Sequence, residues 1–304
     1  MTSRGIVVYG SRPLSPAAEI RILFGREMRR SVRSAKGIVL FVLTLIGAFV
    51  ASRACVWIEE KQRLAEHALS TAQFIEIKRQ FIEKQTGDAA RAAYEANIPT
   101  SLLVFLEITI WLGPLLVALL GFDVMATELQ NRSVRFWTVR MRRWSFFAGK
   151  LLGLWGVIGL FTLVLNALCG AVALSKGYVT AGQLLGWGLR FWLIAVVISG
   201  AWAAVATFIS SCFKVPILAL LTTFAVFFAM WLSGATGLVS RVSESSETRV
   251  LRDMRWFEYV YPNAYDSMLL SPDPGRVLQG AGILLGFVAL VIAAGSIIFQ
   301  RRDI

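Results

Sequence analysis

The sequence predicts an all-α, polytopic membrane protein. It should have six transmembrane helices, an N-terminal interfacial elbow helix and a helical first outer loop. Three observations carry this reading. Of 304 residues, 56% are hydrophobic and only 16% charged, more apolar surface than a soluble domain of that length can hide. Six apolar runs reach the ~18–20 residues that cross a bilayer. The formal net charge of +12 gathers beside alternate runs, as topology requires of a multi-pass chain. That use of the charge replaces the nucleic-acid reading it would carry in a soluble chain, so no nucleic-acid partner is expected.

The leader, residues 1–36, comes first. Within residues 17–36, Ile20, Leu23, Phe24, Met28 and Val32 follow helical spacing, and Arg21, Arg26, Arg29, Arg30 and Arg33 cover much of the remainder. An apolar stripe flanked by arginines is the pattern of a helix lying in the bilayer interface. The stretch MTSRGIVVYG before it lacks the apolar core of a cleavable signal, so the leader is expected to stay on the mature protein.

Residues 37–304 form the transmembrane domain, with spans expected at about 37–58, 101–121, 151–175, 184–211, 215–239 and 278–299. An even count puts both termini on one side. The Arg-rich leader, the segment 122–150 and the ending FQRRDI are basic and mark that side as cytoplasmic. The outer loops 59–100 and 240–277 balance their charges. In the first, helix should continue out of span one and a second short helix should run toward Tyr94, with Pro99 ending it. In the second, RWFEYVYPNAYDSMLLSPDPG clusters aromatics suited to a membrane–water interface, and three prolines exclude one continuous helix.

Inside the spans, Gly149/Gly153, Gly182/Gly186 and Gly282/Gly286 have the spacing that lets helices approach closely. Cys55, Cys169 and Cys212 fit neither a disulfide framework nor a zinc site and read as small packing residues. Arg53, Glu107 and Arg190 form an intramembrane charge cluster. At ~1.5 Å per residue each lies roughly 7–9 Å from the outer surface. The arginines can snorkel, but a glutamate is shorter, so Glu107 is expected to pair with Arg53 or Arg190 and hold the outer mouth shut.

Catalytic chemistry is missing from the pattern. No G-x-x-x-x-G-K-[ST], G-x-S-x-G or H-E-x-x-H occurs, and the single histidine, His67, stands among charges without a second ligand nearby. No catalytic residue, metal or cofactor is expected on this chain.

The segment ATELQNRSVRFWTVRMRRWSFFAGK, Ala126 to Lys150, is more basic and more aromatic than a topology signal needs. Arginines with aromatic residues are the usual anchors of protein interfaces, and cations there also suit anionic lipid heads of the bilayer. Asp123 and Glu128 with the spacing D-x-x-x-x-E, then the basic run through Arg143 to Gly149 and Lys150, resemble the type-2 permeases of ATP-binding-cassette transporters, of the type V exporter kind. So do the elbow helix, the six spans and the ending Phe299, Arg301, Arg302, Asp303. The resemblance covers residue 19 to the end. Two positions depart from it: many members have glycine where Arg132 stands and proline where Arg140 stands.

The resemblance implies that residues 122–150 are a coupling segment that packs into a groove of a separate ATPase subunit. ATP would then be bound by that partner, which explains the missing P-loop. Glu128, Arg132, Arg135, Arg143 and Lys150 would contact the ATPase or orient the helices behind the contact, and Asp123 would cap or pair locally. It further implies a homodimer in the bacterial cytoplasmic (inner) membrane that exports an amphiphile, lipid, peptide or drug. The alternative is a mechanical or scaffold subunit acting on an extracytoplasmic partner with no cargo passing through.

Overall fold

The structure, a computed structural model, describes residues 15–68, 71–86, 89–139, 141–242 and 259–300. The described residues are helical with no strand. Six helices are long and apolar enough to cross a membrane. They lie in α2 (Ala35–Ala68), α5 (Thr100–Gly121), α8 (Arg143–Ser175), α9 (Ala181–Cys212), α10 (Pro216–Val242) and α11 (Pro274–Gln300). The chain is a multi-pass membrane protein, and every expected span is present. Of the six, α9 is the most enclosed, and α2 and α10 are the least.

Before the spans comes α1 (Pro16–Arg33). Ser15 caps it by accepting from the Ala18 N–H at 3.3 Å, with Pro16 in the first turn where its missing N–H costs nothing. It lies along the first turns of α8. Gly149, Gly153 and Gly156 make this approach possible: a Cβ at Gly149 would stand 2.6 Å from Leu23 Cβ, and one at Gly153 2.5 Å from Glu27 Cβ. Of the three expected small-residue pairs only Gly149/Gly153 is used this way. Gly182, Gly186, Gly282 and Gly286 face open space.

The face of α1 turned inward differs from the expected one. Glu19, Leu23 and Glu27, spaced i, i+4, i+8, are buried, whereas Phe24 and Val32 of the apolar stripe stay exposed. Two acids therefore lie on the packed side of an Arg-rich helix.

At the opposite end, α2 runs on past the apolar segment to Ala68, followed by α3 (Thr71–Thr86) and α4 (Ala89–Ala96). The loop 59–100 is helical as expected, with two further helices, α3 and α4, in place of the single second helix expected. The side chain of His67, and residues 243–258 of the loop 240–277, lie outside the described residues. Cys55 and Cys169 are buried free thiols, and Ser52 Oγ donates to Cys169 Sγ at 3.1 Å. Cys212 is exposed rather than packed.

Pro114 interrupts α5 and has no N–H for the carbonyl of Ile110. Asn263, in the 3-10 turn Pro262–Tyr265, supplies the missing donor: its Nδ2 reaches Ile110 O at 3.1 Å, and its Oδ1 accepts from Trp202 Nε1 at 2.8 Å. A carbonyl freed at membrane depth needs such a partner, because no water is there to serve it. Asn263 Nδ2 also donates to the Tyr261 hydroxyl at 3.2 Å. Burial pushes the Tyr261 phenol up to about 12, so it stays neutral.

Candidate functional site

The segment between α5 and α8 folds into two short helices, α6 (Ala126–Gln130) and α7 (Val134–Thr138), joined by a turn. Ser210 of α9 seats the first of them. Its Oγ accepts from the N–H groups of Met125 and Ala126, both at 3.0 Å, and donates to Phe122 O at 2.7 Å.

Behind the segment lies a buried ion network. Lys150 of α8 is 1% exposed, and Glu27 and Glu128 are each 4% exposed. Lys150 Nζ stands 2.7 Å from Glu27 Oε2 and 3.0 Å from Glu128 Oε1. Arg30 Nη1 reaches the same Glu128 oxygen at 2.7 Å, and Ser133 Oγ donates to the other. Two carboxylates and two cations leave the cluster neutral. A buried charge is tolerated only when paired in this way. Phe146 packs against the Lys150 ammonium at 5.7 Å and stacks on Phe299 at 5.9 Å.

More contacts fix α1 to the segment. Arg26 lies 4.0 Å over the Trp137 ring, and Glu19 Oε2 accepts from the Arg142 N–H at 3.3 Å. Lys36, at the start of α2, pairs with Asp123, so the local pairing expected of Asp123 is present. The elbow helix, the inter-span segment and α8 are thus one body joined by charge.

The sequence-predicted residues divide into two groups. Glu128 and Lys150 are buried behind the segment. Arg132 and Arg135 are exposed on the turn and on α7. Arg143 is half-buried at the start of α8, its Nη1 3.5 Å from Phe299 O. Phe136 and Val139, 78% and 85% exposed, complete an outward tip with the two arginines. Phe299 is buried where the site needs it, whereas Arg301, Arg302 and Asp303 lie outside the described residues, as does Arg140.

Glu19, Glu27 and Arg30 escaped the sequence reading as site residues. A signal was present. Glu19 and Glu27 are the only acids between residues 15 and 33, and they flank Leu23 on one helix face.

Arg132 sits at φ +54, the only described non-glycine residue with a positive φ. A glycine at this position would have a backbone reason, because glycine enters the left-handed region without a Cβ clash. Arg132→Gly is expected to exceed Arg132→Val in stability by about 1–2 kcal/mol. Thermal unfolding of the two variants checks this, and equal midpoints would show that the turn does not hold that conformation.

The intramembrane trio is not brought together. Arg53 is exposed on α2. Arg190 points to the Tyr94 hydroxyl, to Ser271 O at 2.7 Å and to Leu269 O at 3.3 Å. The charges acting most strongly on Glu107 are Asp266, Arg91 and Glu95. Arg91 in turn holds Glu95 at 2.5 Å and Asp266 at 3.7 Å. The cation beside Glu107 is therefore Arg91 of α4, not Arg53 or Arg190. Equal depth along two helices does not make their side chains face each other.

Residues 21–304 match the family model described as ABC-2 family transporter protein. No curated protein matches the chain.

Proposed function

The chain belongs to the ABC-2 family of transporter proteins and is an ABC transporter permease; from that premise we propose that it couples ATP hydrolysis by a separate ATPase subunit to export of a substrate. The observation that carries this is the two-part build of residues 122–150. The tip of Arg132, Arg135, Phe136 and Val139 faces outward, while the base is locked by buried ion pairs to α1 and α8. A force applied to the tip is passed to a span and to the elbow helix rather than absorbed by a loose loop. In this reading two copies form the permease, α1, the tip and both termini lie on the cytoplasmic side, and the membrane is the bacterial inner membrane. ATP and its chemistry belong to the partner.

A second reading is favoured by the other end. Ile77 and Phe81 are exposed on α3, outside the spans, where an extracytoplasmic partner would find apolar anchors. There the same ATP cycle would do mechanical work through the outer helices with no cargo crossing.

The test is co-expression with candidate ATPase subunits from the same organism, followed by purification and reconstitution in liposomes. Co-purification and ATP hydrolysis stimulated by the transported compound are expected. Absence of any co-purifying ATPase would overturn the proposed coupling to a separate ATPase. Hydrolysis that responds to an outer protein partner but to no compound would favour the mechanical one.

A further inference from the structure

Arg190 lies in the first turns of α9, ~30 Å along the helix from Ser210, which seats the segment 122–150. Two pieces of chain remote from α9 in sequence meet at the Arg190 end. One is α4, whose Arg91, Ala92, Glu95 and Ala96 are buried. The other is the single-turn helix Asp266–Leu269 with the turn after it, where Leu269, Leu270 and Ser271 are buried. Among the described helices, α4 packs closely only on α3. Long side chains hold it to the rest of the bundle.

Arg190 is the centre of that hold. Its Nη1 donates to the Tyr94 hydroxyl of α4, and its Nη2 donates to Ser271 O at 2.7 Å and to Leu269 O at 3.3 Å. Carbonyls at the end of a helix have no partner within it, and the planar guanidinium fork serves several acceptors at once. The cation also lies 5.3 Å from the Tyr94 ring centre and 5.7 Å from that of Trp187. A second bridge runs beside it. Arg91 of α4 holds Glu95 at 2.5 Å and reaches Asp266 at 3.7 Å. The two ends of the bundle are therefore fastened differently. Separating Lys150 from Glu27 and Glu128 would strand buried opposite charges, whereas the hydrogen-bond acceptors of Arg190 are neutral and can be exchanged for water where the bundle meets solvent.

We infer that Arg190 is a latch. It fastens α4 and the turn 269–271 over this end of the bundle, and the end opens when the guanidinium releases one of them. In the export reading this is the end at which cargo leaves, so the latch opens once per cycle. The inference rests on that reading for its role in transport, and on the full chain alone for the latch itself. The closing role expected of Glu107 falls to Arg190 with other acceptors, and α9 joins the latch to the segment seated by Ser210.

Spin labels at Ala93→Cys on α4 and Gln279→Cys on α11, both exposed positions, report the gap by double electron–electron resonance. The turn packs on α11 through Met268 and Gly280, so the second label follows it. The chain is held in nanodiscs, with Cys212→Ser to remove the exposed thiol. A single short distance is expected. Arg190→Gln should enrich a longer one by roughly ten-fold or more, the scale of one charge-assisted hydrogen bond lost. Tyr94→Phe, which keeps the ring and removes the acceptor, should enrich it less, and Arg190→Lys should fall between Arg190→Gln and the unchanged chain. In complex with the ATPase, ATP without hydrolysis should populate the longer distance in the unchanged chain. Distances indifferent to both Arg190→Gln and Tyr94→Phe would overturn the latch. So would a distance that stays short in every nucleotide state of a complex that hydrolyses ATP; the coupling reading would survive either result. If no ATPase co-purifies, the coupling reading fails instead, and the comparison on the chain alone still decides whether Arg190 fastens α4 to the turn.

Discussion

Lys150→Met is expected to lower the stability of the folded chain by about 3–5 kcal/mol, because it strands two buried carboxylates. Glu27 and Glu128 sit 2.7 and 3.0 Å from the ammonium and are themselves closed off from solvent. Glu128 retains Arg30 and Ser133, but Glu27 has no other ion pair among the described residues. The damage should therefore fall on the contact between α1 and α8. Limited proteolysis should find α1 released before the spans unfold. Glu27→Gln combined with Lys150→Met removes one stranded carboxylate with the cation, and it should recover part of the loss. For a contacting pair a coupling of about 0.5–3 kcal/mol is the expected scale. Thermal unfolding of the purified chain and its variants measures it. If Lys150→Met keeps the wild-type midpoint, or if the double change is simply additive, the ion network is not what fastens the elbow helix.

The same contact shows what a linear sequence conceals. The six spans were legible because the bilayer selects on one property, apolar length, that can be summed along the chain. The elbow helix was legible as an element for a similar reason. Its inward face was not. Glu19 and Glu27 carry charge, and charge reads as solvated until a buried partner is known; Lys150, the partner of Glu27, lies 123 positions away. Glu107 illustrates the opposite fault. Depth is readable from residue count, but azimuth around the helix is not, so Arg53 and Arg190 at matching depth stand out over Arg91 in a loop of balanced charge. Pro114 was visible inside an apolar run, yet nothing local announces that Asn263 returns from beyond span five to satisfy Ile110. What the sequence displayed well were one-body quantities. What it hid were pairs.

That division also predicts how the inter-span segment will respond to mutation. Phe136→Ser together with Val139→Ser should abolish stable association with the ATPase while leaving the unfolding midpoint unchanged. Both side chains are mostly exposed, so their loss removes almost no burial within the chain. In an interface, apolar anchors of this kind are typically worth about 2 kcal/mol or more each, which is roughly thirty-fold in affinity per anchor. Arg135→Glu should weaken association as well, by reversing a charge on the exposed face of α7. Glu128→Gln should behave in the opposite way. It lies 4% exposed behind the tip, and its neutralisation leaves the Lys150 and Arg30 cations undercompensated. Its midpoint should fall, and association should fall only in proportion to the folded fraction. Co-purification yield plotted against unfolding midpoint for the three variants separates the two groups. If Phe136→Ser/Val139→Ser retains full association, the ATPase docks elsewhere. If Glu128→Gln loses association with no change in midpoint, Glu128 touches the partner directly and the separation of tip from base is wrong.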